Sequence, residues 1–204
     1  MPVKPDRAPL ADRSASGGMA LLIIDMISTW DFKDADRIVR GAIAIAPRIG
    51  ALKRRCARVG VPVIYVNDNR GRWRSEFREL VRASIDESET GAAIAKHLHP
   101  DDDDYSVLKP KHSAFYATPL DLLLRHLRVN RLLIGGVASD QCIVMSAAEA
   151  KMRDYEVIVP RDCVADQTTA RTGRALRHLE EAHGIATTAS PRVRLPTRRQ
   201  ASAR

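Results

Sequence analysis

RLLIGGVASDQCIVMSAAEAKMR, residues 131–153, decides the fold. Its apolar start, 131–137, reads as a buried strand, and the segment from about residue 142 to 153 reads as a helix. Between them stand two glycines and a run of small residues, then a cysteine, Cys142, where the helix begins. A strand running through a tight turn into a helix is half of a βαβ unit, so the neighbouring segments should repeat the alternation.

They do. Short apolar runs at 19–25, 61–68, 105–110, 131–137 and 155–160 read as strands, with 184–189 (GIATTA) as a weaker sixth. Helical spacing fills the gaps at 34–59, 76–83, 91–99, 119–128, 142–153 and 169–183. Pro47 should kink or divide the first helix. Thr118 can cap the fourth, with Pro119 at its first position, and Thr168 or Thr169 can open the last. No hairpin signal interrupts the alternation. The pattern is α/β, a parallel sheet covered by helices on both faces, in one domain over 18–190 with loose ends at 1–17 and 191–204.

The chain has 204 residues, three cysteines and a formal net charge of +8. No apolar stretch is long enough to span a bilayer, and no apolar signal core precedes the first strand, so a cytoplasmic protein is expected. Three cysteines without a CxxC pair argue against a disulfide scaffold and against a thiolate metal knuckle. Much of the positive charge sits at the end, in Arg192, Arg194, Arg198, Arg199 and Arg204, and no basic groove interleaved with aromatics is visible. Nucleic acid is therefore a weak alternative to a small-molecule ligand. The acidic PDDDDY (100–105) reads as a solvated turn.

In an open parallel sheet, ligands bind beyond the carboxyl ends of the strands. Asp25 ends the first strand, Lys109 the third, and Cys142 follows the fourth. A helix N-terminus and a lysine would both favour a thiolate at Cys142, and Asp25 could take the thiol proton and later give it to a leaving amine. Backbone amides of the small-residue turn could face an oxyanion. Trp30, Asn67, Trp73, Phe115 and Tyr116 are candidates for the pocket wall. Ordinary loop packing is the alternative for each, and a subunit contact a further one for Tyr116. Cys56 and Cys163 read as structural.

Four segments carry a family resemblance: ALLIIDM (20–26), VLKPKHSAFYATPLDLLLRHL (107–127), LIGGVASDQC (133–142) and VPRDCVAD (159–166). In this order they resemble the isochorismatase-like cysteine hydrolase superfamily, which includes nicotinamidases, N-carbamoyl amidohydrolases and isochorismatase. The resemblance implies a three-layer α/β/α fold with a six-stranded parallel sheet. It implies a catalytic triad of Asp25, Lys109 and Cys142, a cis peptide between Val137 and Ala138, and an oxyanion hole from the amides of Ala138 and Cys142. It also implies a homo-oligomer. Nicotinamidases of the superfamily hold a metal on an Asp/His cluster after the second strand. VNDNRGRWRSEF (66–77) has no histidine, and His97, His99 and His112 show no ligand spacing, so no metal or other cofactor is expected and these histidines read as surface or capping groups. The leading expectation is hydrolysis of a C–N bond in an amide, carbamoyl or lactam substrate. The alternatives are an isochorismatase-type vinyl-ether hydrolase and a non-catalytic small-molecule-binding member of the fold.

Overall fold

A computed structural model describes residues 18–71 and 73–197. Five parallel strands form its sheet: β1 (Gly18–Ile24), β2 (Val63–Asp68), β3 (Tyr105–Lys109), β4 (Val129–Gly136) and β5 (Glu156–Ile158), in the spatial order β3-β2-β1-β4-β5. Six helices connect them: α1 (Ala35–Arg58), α2 (Phe77–Asp86), α3 (Glu89–Leu98), α4 (Leu120–His126), α5 (Val144–Met152) and α6 (Thr169–His183). The alternating residues of β1 explain the two-sided burial. Met19, Leu21 and Ile23 pack into one core with α1 and α3, while Ala20, Leu22 and Ile24 pack into the other with α4, α5 and α6. Each fully buried Leu or Ile contributes about 1.5–3 kcal/mol, so a central strand buried on both faces needs an unbroken apolar run.

The expected sixth strand is reduced to a single bridge. Ile158 pairs with Ala186, and the Val159 amide donates to the Ala186 carbonyl at 2.9 Å. The chain then leaves the sheet edge because Asp162 takes both the Ser190 amide and its hydroxyl at 2.7 Å. The expected loose end also starts later than 191. Val193 is buried, and Arg55 donates to the carbonyls of Ser190 (2.5 Å) and Val193 (2.8 Å). Residues 1–17 and 198–204 lie outside the described residues.

Three further expectations change in detail. Helix α1 continues through Pro47 as one element rather than two. Thr118 stands one residue before the cap, its hydroxyl accepting from the Leu120 amide at 3.3 Å. The acidic turn is not merely solvated: buried Lys53 holds Asp104 at 2.7 Å and Asp101 at 3.0 Å, and donates to the His99 carbonyl. Among the described residues no helix is long and apolar enough to cross a membrane.

The strand order reverses at β1, which runs to β2 on one side and receives β4 on the other. The crevice at such a switch point is where this architecture places ligands. Gly136 lets β4 close on β1 there. At φ 126°, a Cβ on this residue would stand 2.0 Å from the Ile24 carbonyl oxygen, so only glycine fits.

Candidate active site

Asp25 follows β1 at the switch point with φ 53°, a left-handed conformation that aspartate tolerates better than most residues. Its amide donates to the Val66 carbonyl and its Oδ1 accepts from the Asp68 amide at 2.8 Å, so β2 fixes the carboxylate from both ends. Lys109, at the end of β3, reaches across the end of β2. Its Nζ lies 2.9 Å from Asp25 Oδ2, 3.8 Å from Asp68 Oδ2 and 3.5 Å from Cys142 Sγ. Lys109 is fully buried. Burial alone would pull its pKa down, but the charges of Asp25, Cys142 and Asp68 outweigh it and hold the ammonium above its usual range.

Cys142 sits in a π-helical turn, Ser139–Ile143, between β4 and α5. The expectation that Lys109 and a helix N-terminus would lower its pKa does not hold. Burial and the negative charge of Asp25 push the thiol up to about 12, against the pull of Lys109. The resting site is therefore a protonated thiol beside a carboxylate–ammonium pair, and attack requires a base at the moment of bond formation.

The turn is clamped from below. Asp166, buried after β5, accepts from the Ser139 hydroxyl (3.0 Å) and from the amides of Asp140 (2.9 Å) and Gln167 (2.8 Å). These bonds outweigh the burial that would raise its pKa and hold its carboxyl below the usual range. Asp140 moves the other way, raised by burial and by Asp166. Arg171 on α6 bridges both acids, at 2.6 Å to Asp140 and 3.4 Å to Asp166. The Val137–Ala138 peptide is cis. The Ser139 amide is taken by the Ala165 carbonyl, and those of Gln141 and Ile143 by the Ala138 carbonyl. Among the described residues, no acceptor meets the Ala138 amide.

A cavity of about 690 Å³ opens over this turn, and its wall includes Asp25, Trp30, Asn67, His112, Ala138 and Cys142. Four residues with positive φ other than glycine, namely Asp25, Trp30, Asp34 and Arg70, belong to this wall, a concentration typical of binding and catalytic sites. Among the described residues, the buried side-chain polar atoms without a partner are Trp30 Nε1, Asn67 Oδ1 and Asp140 Oδ1. All three belong to the same wall. Asn67 is oriented by its other end, since Nδ2 donates to the Ile27 carbonyl at 2.7 Å.

The structure brings Asp25, Lys109, Cys142, Ala138, Trp30 and Asn67 together and leaves three expected wall residues outside. Trp73 is 82% exposed. Phe115 is in the core against Tyr155. Tyr116 is 59% exposed just before α4. The cause for these last two is the anchoring of the segment after Lys109: Ser113 donates to Glu149 at 2.5 Å, and the Ala114 amide donates to the Ser146 hydroxyl at 2.9 Å, both on α5. The same anchors carry His112 over the thiol, its Nδ1 3.6 Å from Cys142 Sγ; it is exposed, as the surface reading expects, and it also lines the cavity. Sequence reasoning also missed Asp166 and Arg171, although Asp166 closes the quoted VPRDCVAD segment. At the end of β2, Asp68 Oδ1 is spent on the Arg70 amide, and just beyond it Asn69 on Gly71. Among the described residues, no group of three or more His, Cys, Asp or Glu could hold a metal ion, so the residues present do not fit the nicotinamidase-type metal centre.

A parallel sheet with an Asp–Lys–Cys cluster at its switch point defines an α/β protein with its candidate site at the strand ends. Residues 19–190 match the isochorismatase domain, and the chain belongs to that family. It is 35% identical over 161 residues to the uncharacterized isochorismatase family protein YaaI of Bacillus subtilis, covering 79% of this chain and 88% of that protein. An isochorismatase family protein from Desulfovibrio vulgaris superposes with a TM-score of 0.69 at 27% identity, over 86% of this chain and 95% of that one. The N-carbamoylsarcosine amidase of Thermoplasma acidophilum shares the fold with a TM-score of 0.67 at 23% identity, over 86% and 98% of the two chains.

Proposed function

We propose that the protein is a cysteine hydrolase that cleaves a C–N bond in an amide, carbamoyl or lactam substrate through a thioester on Cys142. The observation that carries this reading is the contact of Cys142 Sγ with Lys109 Nζ at 3.5 Å, the same ammonium lying 2.9 Å from Asp25 Oδ2. Asp25 takes the thiol proton as sulfur attacks the carbonyl carbon. Lys109 stabilises the negative charge on both partners during that transfer. The free Ala138 amide, with that of Cys142, stabilises the oxyanion. The unpartnered Trp30 Nε1 donor and the Asn67 and Asp140 acceptors suit a substrate with a polar head carrying both N–H and C=O groups. The membership of N-carbamoylsarcosine amidase in the same fold family supports the C–N reading.

The test is a panel of carboxamides, ureido acids and lactams, followed by ammonia or amine release. Turnover should fall at least about 100-fold in Cys142→Ala. It should persist after chelator treatment, since we read the chemistry as metal-independent. Turnover that survives Cys142→Ala overturns the thioester mechanism.

A further inference from the structure

We propose that Lys33 is a specificity-determining residue that receives a carboxylate on the substrate's tail, so that the protein prefers amide, carbamoyl or lactam compounds with an acid group remote from the scissile bond. This rests on reading Cys142 as the nucleophile at the other end of the substrate.

The charges of the cavity wall are paired with one exception. Its five acids each meet a cation. Asp25 and Asp68 meet Lys109 at 2.9 and 3.8 Å, and Asp34 meets Arg37 at 3.6 Å. Asp140 and Asp166 meet Arg171 at 2.6 and 3.4 Å. Of the wall's lysines and arginines, Arg171 is held by those two acids, and Arg70 by Asp31 and the Thr29 hydroxyl. Lys33 has no ion pair among the described residues. The acids nearest it in sequence, Asp31 and Asp34, are the two that Arg70 and Arg37 take. A cationic group on the substrate therefore finds every carboxylate of the wall engaged, whereas an anionic group finds a free ammonium.

The loop that carries Lys33 climbs from the closed part of the wall to its rim. Trp30 is 7% exposed and its Nε1 has no partner, Phe32 is 45% exposed, and Lys33 is exposed. Its path is fixed. The Trp30 amide donates to the Ser28 hydroxyl at 3.0 Å, the Trp30 and Phe32 rings stand 6.0 Å apart, and the Ala35 amide donates to the Phe32 carbonyl at 3.1 Å. The unpartnered indole N–H calls for a polar group of the ligand deep in the cavity, and Lys33 meets a group that projects toward the mouth. Helix α1 starts directly after the loop, and Asp34 makes no side-chain cap, so the partial positive charge of the helix end adds to the ammonium. A cavity of about 690 Å³ has room for such a tail beyond the amide head. The flexible lysine stem lets the ammonium follow tails of different length, so the preference is for charge rather than for one chain length.

Matched pairs test this: succinamate against butanamide, glutaramate against pentanamide, and N-carbamoyl-β-alanine against propylurea. In each pair the acid should have a kcat/KM at least about tenfold higher, carried by KM. Lys33→Gln should cut that acid-to-neutral ratio about tenfold, Lys33→Arg should retain it, and Lys33→Glu should invert it. Rising ionic strength should shrink the native ratio. A merely structural role would lower both members of a pair alike and leave the ratio where it was. Calorimetry on Cys142→Ala reads binding without turnover: the acids should bind, and adding Lys33→Gln should weaken them about tenfold. Equal kcat/KM within the pairs, a ratio unmoved by Lys33→Gln, or acids that fail to bind Cys142→Ala overturn the proposal. Turnover that survives Cys142→Ala overturns the nucleophile reading instead, and the binding difference at Lys33 then stands without it.

Discussion

Asp25→Asn should make Cys142 more reactive and the enzyme less active. The substitution keeps the side chain's shape and its acceptor for the Asp68 amide. It removes the negative charge that, after burial, most opposes ionisation of the thiol at about 12. Lys109, 3.5 Å from the sulfur, then acts without its main counter-charge. What is lost is the repulsion between Asp25 and the sulfur; at an effective dielectric of about 20, a unit pair about 5 Å apart is worth about 3 kcal/mol, or roughly two pH units of thiol ionisation. Burial persists and Asp68 still draws on Lys109, so a fall of about two units is the reasonable expectation. The thiolate fraction near neutral pH would rise about 100-fold. The lower basicity of the thiolate takes back about tenfold in nucleophilicity, so the net alkylation rate rises by about tenfold. Hydrolysis should nonetheless fall at least about 100-fold, because no carboxylate remains to take and return the proton. Iodoacetamide labelling at pH 7.5, followed by intact mass with Cys142→Ala as the site control, reads the first effect, and the substrate panel reads the second. Slower labelling than native, or preserved hydrolysis, would refute this electrostatic reasoning.

Other outcomes follow from the same geometry. Gly136→Ala should lower the denaturant midpoint severely or abolish soluble folding, because its Cβ meets backbone at 2.0 Å. Gly184→Ala, with no atom near its Cβ, should cost only about 1 kcal/mol. Asp166→Ala should lose about 1–3 kcal/mol of stability in chemical denaturation along with most turnover, since it releases the Ser139 hydroxyl and the Asp140 amide that shape the turn. Trp73→Ala should leave turnover within about twofold, whereas Trp30→Ala should raise KM or abolish activity, the first being exposed and the second part of the cavity wall. Stability should decline in alkali. Cys56, Cys142 and Cys163 are all raised to about 12, so the unfolded chain ionises first, and the stabilisation present below about pH 8.5 is lost as pH climbs toward 12. Thermal midpoints across that range, compared with Cys142→Ala, measure one thiol's share.

The alternation of apolar runs and helical periods carries the sheet because burial on both faces demands it, and β1 shows this residue by residue. GIATTA was harder to place, since its departure from the sheet is decided by Asp162 holding Ser190, a contact between segments far apart in sequence. Asp25, Lys109 and Cys142 were legible as strand-end residues of the right chemistry. The net charge state of Cys142 was not, because it depends on how burial and Asp25 weigh against Lys109 in three dimensions. The aromatic candidates divided between wall, core and solvent for a similar reason. Trp30, Phe115 and Trp73 differ in where their loops set them, not in type. His112 was missed as a wall residue because its place over the sulfur is set by Ser113 reaching Glu149, 36 residues away.

The central claim is that Cys142 carries the substrate's acyl or carbamoyl group. Rapid acid quench during turnover of the best amide from the panel, followed by peptide mapping, measures this directly. The account predicts one acyl group on the peptide containing Cys142, released by hydroxylamine and absent from Cys142→Ala. Turnover with no such adduct, matched by an active Cys142→Ala protein, would contradict it.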